Sequence, residues 1–171
     1  MRTLFTLIMV LIVNGIPQTN NVSNEVSQSS SAEISVEKNR SFKSIGQDGA
    51  NFILKLKNTS GSRNSFIIRA TLDSSPCSNK YNSNLSTKAN NSNLYMLLET
   101  DNSRSMSNSE SRIQITLDAE QTKEFTLTAT APNTTVYNTW GCIKVEAISD
   151  TNETISDEII LSVYIPDPSQ N

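Results

Sequence analysis

Residues 113–131 read IQITLDAEQTKEFTLTATA. Ile113, Ile115 and Leu117 alternate with Gln114 and Thr116. Past a polar stretch at 118–122, Phe125, Leu127, Ala129 and Ala131 alternate with Thr126, Thr128 and Thr130. A period of two sends successive side chains to opposite faces of an extended chain. The stretch therefore predicts two strands joined by a polar turn, each with one apolar and one polar face. Antiparallel sheets with a single buried side have this pattern.

The same alternation recurs on either side. Phe52, Leu54 and Leu56 form one run, and Phe66, Ile68, Ala70 and Leu72 a second. Ile143, Val145 and Ala147 form a third, and Ile159, Leu161, Val163 and Ile165 a fourth. Weaker runs lie at 34–37 and 94–100. Turn-forming residues separate the runs at 58–61, 118–122, 132–135 and 150–153. No segment sustains a 3.6-residue period. The reading is all-β: an Ig-like antiparallel β-sandwich of about seven to nine strands over residues 32–166. Its expected core holds Phe52, Leu54, Leu56, Phe66, Ile68, Leu127, Val145 and Leu161. Lys55, Arg69, Thr128, Lys144 and Ser162 are expected to face water. Two Ser/Asn-rich stretches, 73–93 and 101–111, are expected to be long loops.

Outside the sandwich the chain changes character. Arg2 and the α-amine precede an apolar run at 4–13 that is broken only by Thr6. Ten residues span about 15 Å as a helix, half of a bilayer core. This predicts a signal peptide over 1–15 and export to the periplasm, cell surface or medium. Residues 16–31 are rich in Asn, Ser and Gln, with too few apolar groups to offset ordering, and predict a disordered tether. Residues 167–171 are expected to form a flexible tail. In an oxidising compartment the two cysteines, Cys77 and Cys142, are expected to pair. A closed loop of about 65 residues corresponds to roughly 4 kcal/mol in the chain-entropy model. Cys142 shares parity with Lys144 and Glu146, so the bond would tie the 73–93 loop to an outer sheet face.

Composition narrows the chemistry. The chain has no histidine, which excludes a Ser-His-Asp triad and His-based metal sites. A net charge of −3 without a basic run argues against nucleic acid. With five glycines and no phosphate loop or serine-nucleophile motif, no catalytic residue, cofactor or metal is expected. Carboxylates at Asp118 and Glu120, and at Asp150, Glu153, Asp157 and Glu158, could serve a hydrolase; hairpin and edge-strand charges are the simpler reading. Tyr137 and Trp140 flank a turn and are the candidate ligand-binding aromatics of a carbohydrate-binding module. The simpler alternative has Trp140 capping the core. Seven Asn-x-Ser/Thr sequons occur, at Asn21, Asn39, Asn58, Asn84, Asn90, Asn133 and Asn152, close to what the composition produces by chance.

Four pieces, in order, carry a family resemblance. They are GANFILKLKNTSG at 49–61, SFIIRA at 65–70, ITLDAEQTKEFTLTATAP at 115–132 and WGCIKVEAIS at 140–149. Together they resemble the NEW3-type and related fibronectin-III-like modules of bacterial and archaeal extracytoplasmic proteins. The resemblance implies a non-catalytic sandwich acting as a spacer or accessory module. Its partner would be an unidentified protein or glycan at the cell envelope, with no transmembrane helix in the mature chain.

Overall fold

The computed structural model describes residues 31–46, 48–73, 93–134, 136–151 and 153–170. In chain order they form β1 (Ala32–Val36), a 3-10 turn (Glu37–Asn39), β2 (Phe42–Ser44), β3 (Ala50–Asn58), β4 (Asn64–Asp73) and β5 (Tyr95–Glu99). There follow β6 (Arg104–Ser107), β7 (Glu110–Leu117), β8 (Thr122–Thr130), β9 (Thr139–Ser149), β10 (Ile155–Ile165) and a closing 3-10 turn (Pro168–Gln170). The expected signal peptide, residues 16–30 of the tether, and Cys77 lie outside the described residues.

Alternation becomes two five-stranded sheets packed face to face, ordered β1-β3-β8-β5-β6 and β2-β10-β9-β4-β7. Every pairing is antiparallel except that of β2, which runs parallel to β10. The first sheet follows the A-B-E-D order of an immunoglobulin domain, and β10-β9-β4 follows G-F-C. The protein is an Ig-like β-sandwich. All eight residues expected in the core have no exposed surface. Register places them on the inner faces: Phe52 pairs with Leu127, and Ile68 with Ala147.

The strand count differs from expectation. Ten strands occur among the described residues, and the surplus comes from β2 and β6, edge strands of three and four residues. Paired on one side only, such short strands need no apolar face of their own, so they carry no alternation to read. β6 and the first residues of β7 fall inside 101–111, which was expected to be loop. Ser162 is also corrected. It faces outward on β10 but is only 1% exposed, because Cys142 stands opposite on β9 and Phe42 opposite on β2.

Both open sides of the sandwich are sewn together. Between β1 and β10, the Ile34 N–H donates to Asp157 Oδ2 at 2.7 Å, and the Ser31 and Ser156 hydroxyls lie 2.8 Å apart. On the far side, Ser111 Oγ donates to the Met96 carbonyl at 2.7 Å, and the Arg112 N–H donates to Ser105 Oγ at 3.1 Å. The β3–β4 turn closes on Asn58, whose side chain is fully buried. Its Nδ2 lies 2.8 Å from the Ser62, 3.2 Å from the Leu117 and 3.0 Å from the Asp118 carbonyls. Residues 167–170, which the sequence assigns to the tail, form a turn in which Asp167 Oδ1 accepts from Ser169 N and Oγ.

Candidate functional site

The outer face of the β2-β10-β9-β4-β7 sheet is organised in cross-strand rows. At the β2 end, Trp140 stands opposite Tyr164, and Cys142 opposite Ser162. The Trp140 ring packs between Phe42 and Tyr164, with both centroid separations 4.9 Å and the planes tilted by about 40°. Trp140 and Cys142 are both buried, and Ile160 packs against them. Trp140 therefore does not cap the inter-sheet core. It anchors a separate small cluster on an outer face, where strand parity sends it. Phe42, the half-exposed rim of this cluster, was missed, since nothing in a three-residue strand marks it in the sequence.

The next zone is ionic. Arg112, Arg69, Glu146 and Glu158 form a row across β7, β4, β9 and β10. Glu146 is 1% exposed although its parity points it away from the core. Arg69 Nε donates to its Oε2 at 2.8 Å, and Lys144 Nζ stands 2.9 Å from Oε1 as an ion pair. Burial pushes the Glu146 carboxyl up, but the contacts and charges of Lys144 and Arg69 outweigh it and hold the group below the usual carboxylate range. The same contact with Glu146 raises Lys144. Arg112 is paired with Glu110 instead, so each of the facing Arg69 and Arg112 charges has a carboxylate partner on its own strand or the next. The Arg69–Glu146 contact ties β4 to β9.

Three further candidate carboxylates have partners. Glu120 pairs with Lys57 at 2.8 Å, Asp150 accepts from Gln114 Nε2 at 3.0 Å, and Asp157 holds the β1 seam. Asp118 heads a turn in which its backbone N–H donates to Gln121 Oε1 at 2.8 Å. Among the described residues no three Cys, Asp or Glu side chains gather closely enough to hold a metal ion.

Tyr137 lies elsewhere. Among the described residues, the ring contacts of Trp140 are with Phe42 and Tyr164, so the structure does not join the two candidate aromatics into one patch. Tyr137 is 44% exposed and lines a cleft of about 420 Å³ at the end of the sandwich where β10 leaves it. Ile45, Ala131, Pro132, Asn133 and Pro166 line the same cleft. The loop carrying Tyr137 is braced on its far side. The Asn138 N–H donates to the Ile165 carbonyl at 2.7 Å, and the Tyr164 hydroxyl donates to Asn138 Oδ1 at 3.0 Å.

No protein-family model matches this chain. No curated protein matches it either. The NEW3-type resemblance is thus carried by the residues quoted above alone. Among solved structures, it is similar to a FixG-related protein from Vibrio parahaemolyticus, at 10% identity over 80% of this chain and 97% of that one, with a TM-score of 0.46. It is also similar to WR4, a C. elegans MSP family member, at 13% identity over 81% and 99% of the two chains, TM-score 0.37. A PapD-like domain of human CEP192 matches at 13% identity over 93% and 98%, TM-score 0.36. All three scores lie below 0.5, and the fold assignment rests on the strand order described above.

Proposed function

We propose that this chain is an exported, non-catalytic Ig-like accessory module of the cell envelope or extracellular space, serving as a spacer and binding domain. The observation that carries this reading is where the sandwich begins and ends. Ser31, at its start, bonds Ser156, the second residue of β10, and the fold closes at Ile165 at the other end of that strand. The nine residue steps from Ser156 to Ile165 put these points roughly 30 Å apart, at opposite poles. A domain joined through opposite poles holds whatever it links at a set distance. The engagement of Glu120, Asp150 and Asp157 in an ion pair, a cross-strand contact and the β1 seam supports a structural role for these carboxylates. Among the described residues no helix is long and apolar enough to cross a membrane.

Export makes the Cys77–Cys142 pair part of the same proposal. Cys142 sits opposite Asp73, the last residue of β4, four residues before Cys77, and among the described residues no cysteine is free. The test is the mass of the protein recovered from its native host. A mature N-terminus between residues 15 and 31, in an envelope or extracellular fraction, is expected. Intact Met1 in the cytosol overturns the export reading and the pairing with it. A second reading, carbohydrate binding, is favoured by the exposed Tyr137 at its cleft, with Trp140 no longer part of the site.

A further inference from the structure

We propose that the Tyr137 cleft is a subsite for an uncharged sugar ring, an inference that rests on the carbohydrate-binding alternative and sharpens it. The argument begins with charge. Among the described residues, those lining this cleft include no acidic or basic side chain. Two other depressions among the described residues are lined by charges: one of about 470 Å³ by Glu99, Asp101 and Glu124, one of about 350 Å³ by Arg69, Arg112 and Glu153. A neutral cleft offers no counter-charge to an ionic ligand and imposes no desolvated charge on a neutral one. The second element is chemistry. Tyr137 presents an apolar ring with a polar tip, suited to the C–H face of a pyranose, and the exposed Asn133 amide supplies one donor group and one acceptor for hydroxyls. The third is rigidity. Asn138, next to Tyr137, holds φ 57 and is bonded from two sides, and Thr139 Oγ1 donates to the Val136 carbonyl at 2.6 Å. A ring on a braced loop loses little freedom on binding.

The test titrates the full chain with neutral hexamers of β-1,4-linked glucose, mannose, galactose and N-acetylglucosamine. A galacturonate hexamer is the charged control, and the readouts are calorimetry and amide chemical shifts. At least one neutral hexamer is expected to bind and to shift the Tyr137, Asn133 and Asn138 amides. Tyr137→Ala is expected to weaken that binding at least tenfold with the melting temperature unchanged. Tyr137→Trp is expected to retain it, and Tyr95→Ala, which changes an exposed ring outside the cleft, to leave it as it was. No binding by any neutral hexamer, equal binding of galacturonate, or full affinity in Tyr137→Ala overturns the proposal. Each of these leaves the spacer reading standing, because that reading is decided by fractionation and the mature N-terminus.

Discussion

Asp157 Oδ2 accepts the Ile34 N–H at 2.7 Å, joining β10 of one sheet to β1 of the other. The contact depends on an irregularity. Ile155 stands opposite Ile148 and Asp157 opposite Ala147, so Ser156 is extra and the register shifts between them. The bulge turns Asp157 to the inner side, paired with a buried alanine, and its carboxylate meets an amide at the edge of β1. An inward-pointing charge at a strand edge also discourages pairing with another chain.

Asp157→Ala is expected to cost about 1–3 kcal/mol in a denaturant titration, the range for leaving a partly buried donor without its partner. Asp157→Asn retains an acceptor oxygen and should recover much of the loss. The Ile34 amide should exchange with solvent faster in the alanine variant while β8 amides keep their protection. Equal stability of all three proteins would show that the seam is held without this bond.

Asn58 has a second, independent consequence. Its amide nitrogen lies within bonding distance of three backbone carbonyls, and its Oδ1 accepts from Ser60 N at 3.0 Å and Ser60 Oγ at 2.6 Å. Asn58→Asp keeps the acceptor and loses the donor, leaving buried carbonyls facing a carboxylate; a loss of about 2–3 kcal/mol or more is expected. Asn58 is also a sequon. Folded protein secreted from a glycosylating host should carry no glycan there, whereas Asn39 and Asn133 are exposed. A glycopeptide containing Asn58 in the folded fraction would contradict the buried placement.

The Glu146 network predicts an acid-side dependence. Its folded pKa lies below the unfolded value, so its stabilisation is present above the ordinary carboxylate value of about 4.3 and is lost as pH falls through the folded value. Lys144, raised when folded, works in the other direction: its contribution is present below the ordinary lysine value and lost as pH climbs through the folded one. Glu146→Gln should flatten the acid limb of a stability–pH curve and cost roughly 3 kcal/mol at neutral pH, by leaving Arg69 and Lys144 without their shared anion. An unchanged acid limb would mean that other carboxylates govern it.

Reduction tests the cysteine pairing through Trp140, the chain's one tryptophan. Trp140 and Cys142 share a buried cluster, and a disulfide quenches a nearby indole. Dithiothreitol is expected to raise the tryptophan emission and lower the melting temperature, with the far-ultraviolet circular dichroism still that of a β protein. The core is built from other residues, so the fold should survive. Emission that ignores the reductant in mature protein would retire the pairing.

The legible and the illegible parts of this molecule separate by range. Wherever a strand had a neighbour on both sides and packed an inner face against the other sheet, as in β3, β8 and β9, that packing imposed an alternation that could be read residue by residue. Phe52, Leu127 and Val145 followed from it. β2 and β6 left no such trace, because an edge strand of three or four residues satisfies its backbone without burying a side-chain face. For the candidate site, the exposure of Tyr137 at a turn was readable, and the fate of Trp140 was not. Phe42 and Tyr164, which enclose it, come from β2 and from the far end of β10.

The chain's own pattern determined the all-β class, the two-faced strands and most of the core, because period-two alternation is a local property of a half-buried extended backbone. Tertiary structure decided what lies opposite what. Glu146 and Ser162 carry the same outward parity as Lys144, yet both are buried. Arg69, seventy-seven residues away on β4, closes over Glu146 together with Lys144, while Phe42 and Cys142 close over Ser162. Local sequence specifies the face a side chain takes; the pairing order of the sheet specifies whether that face meets water.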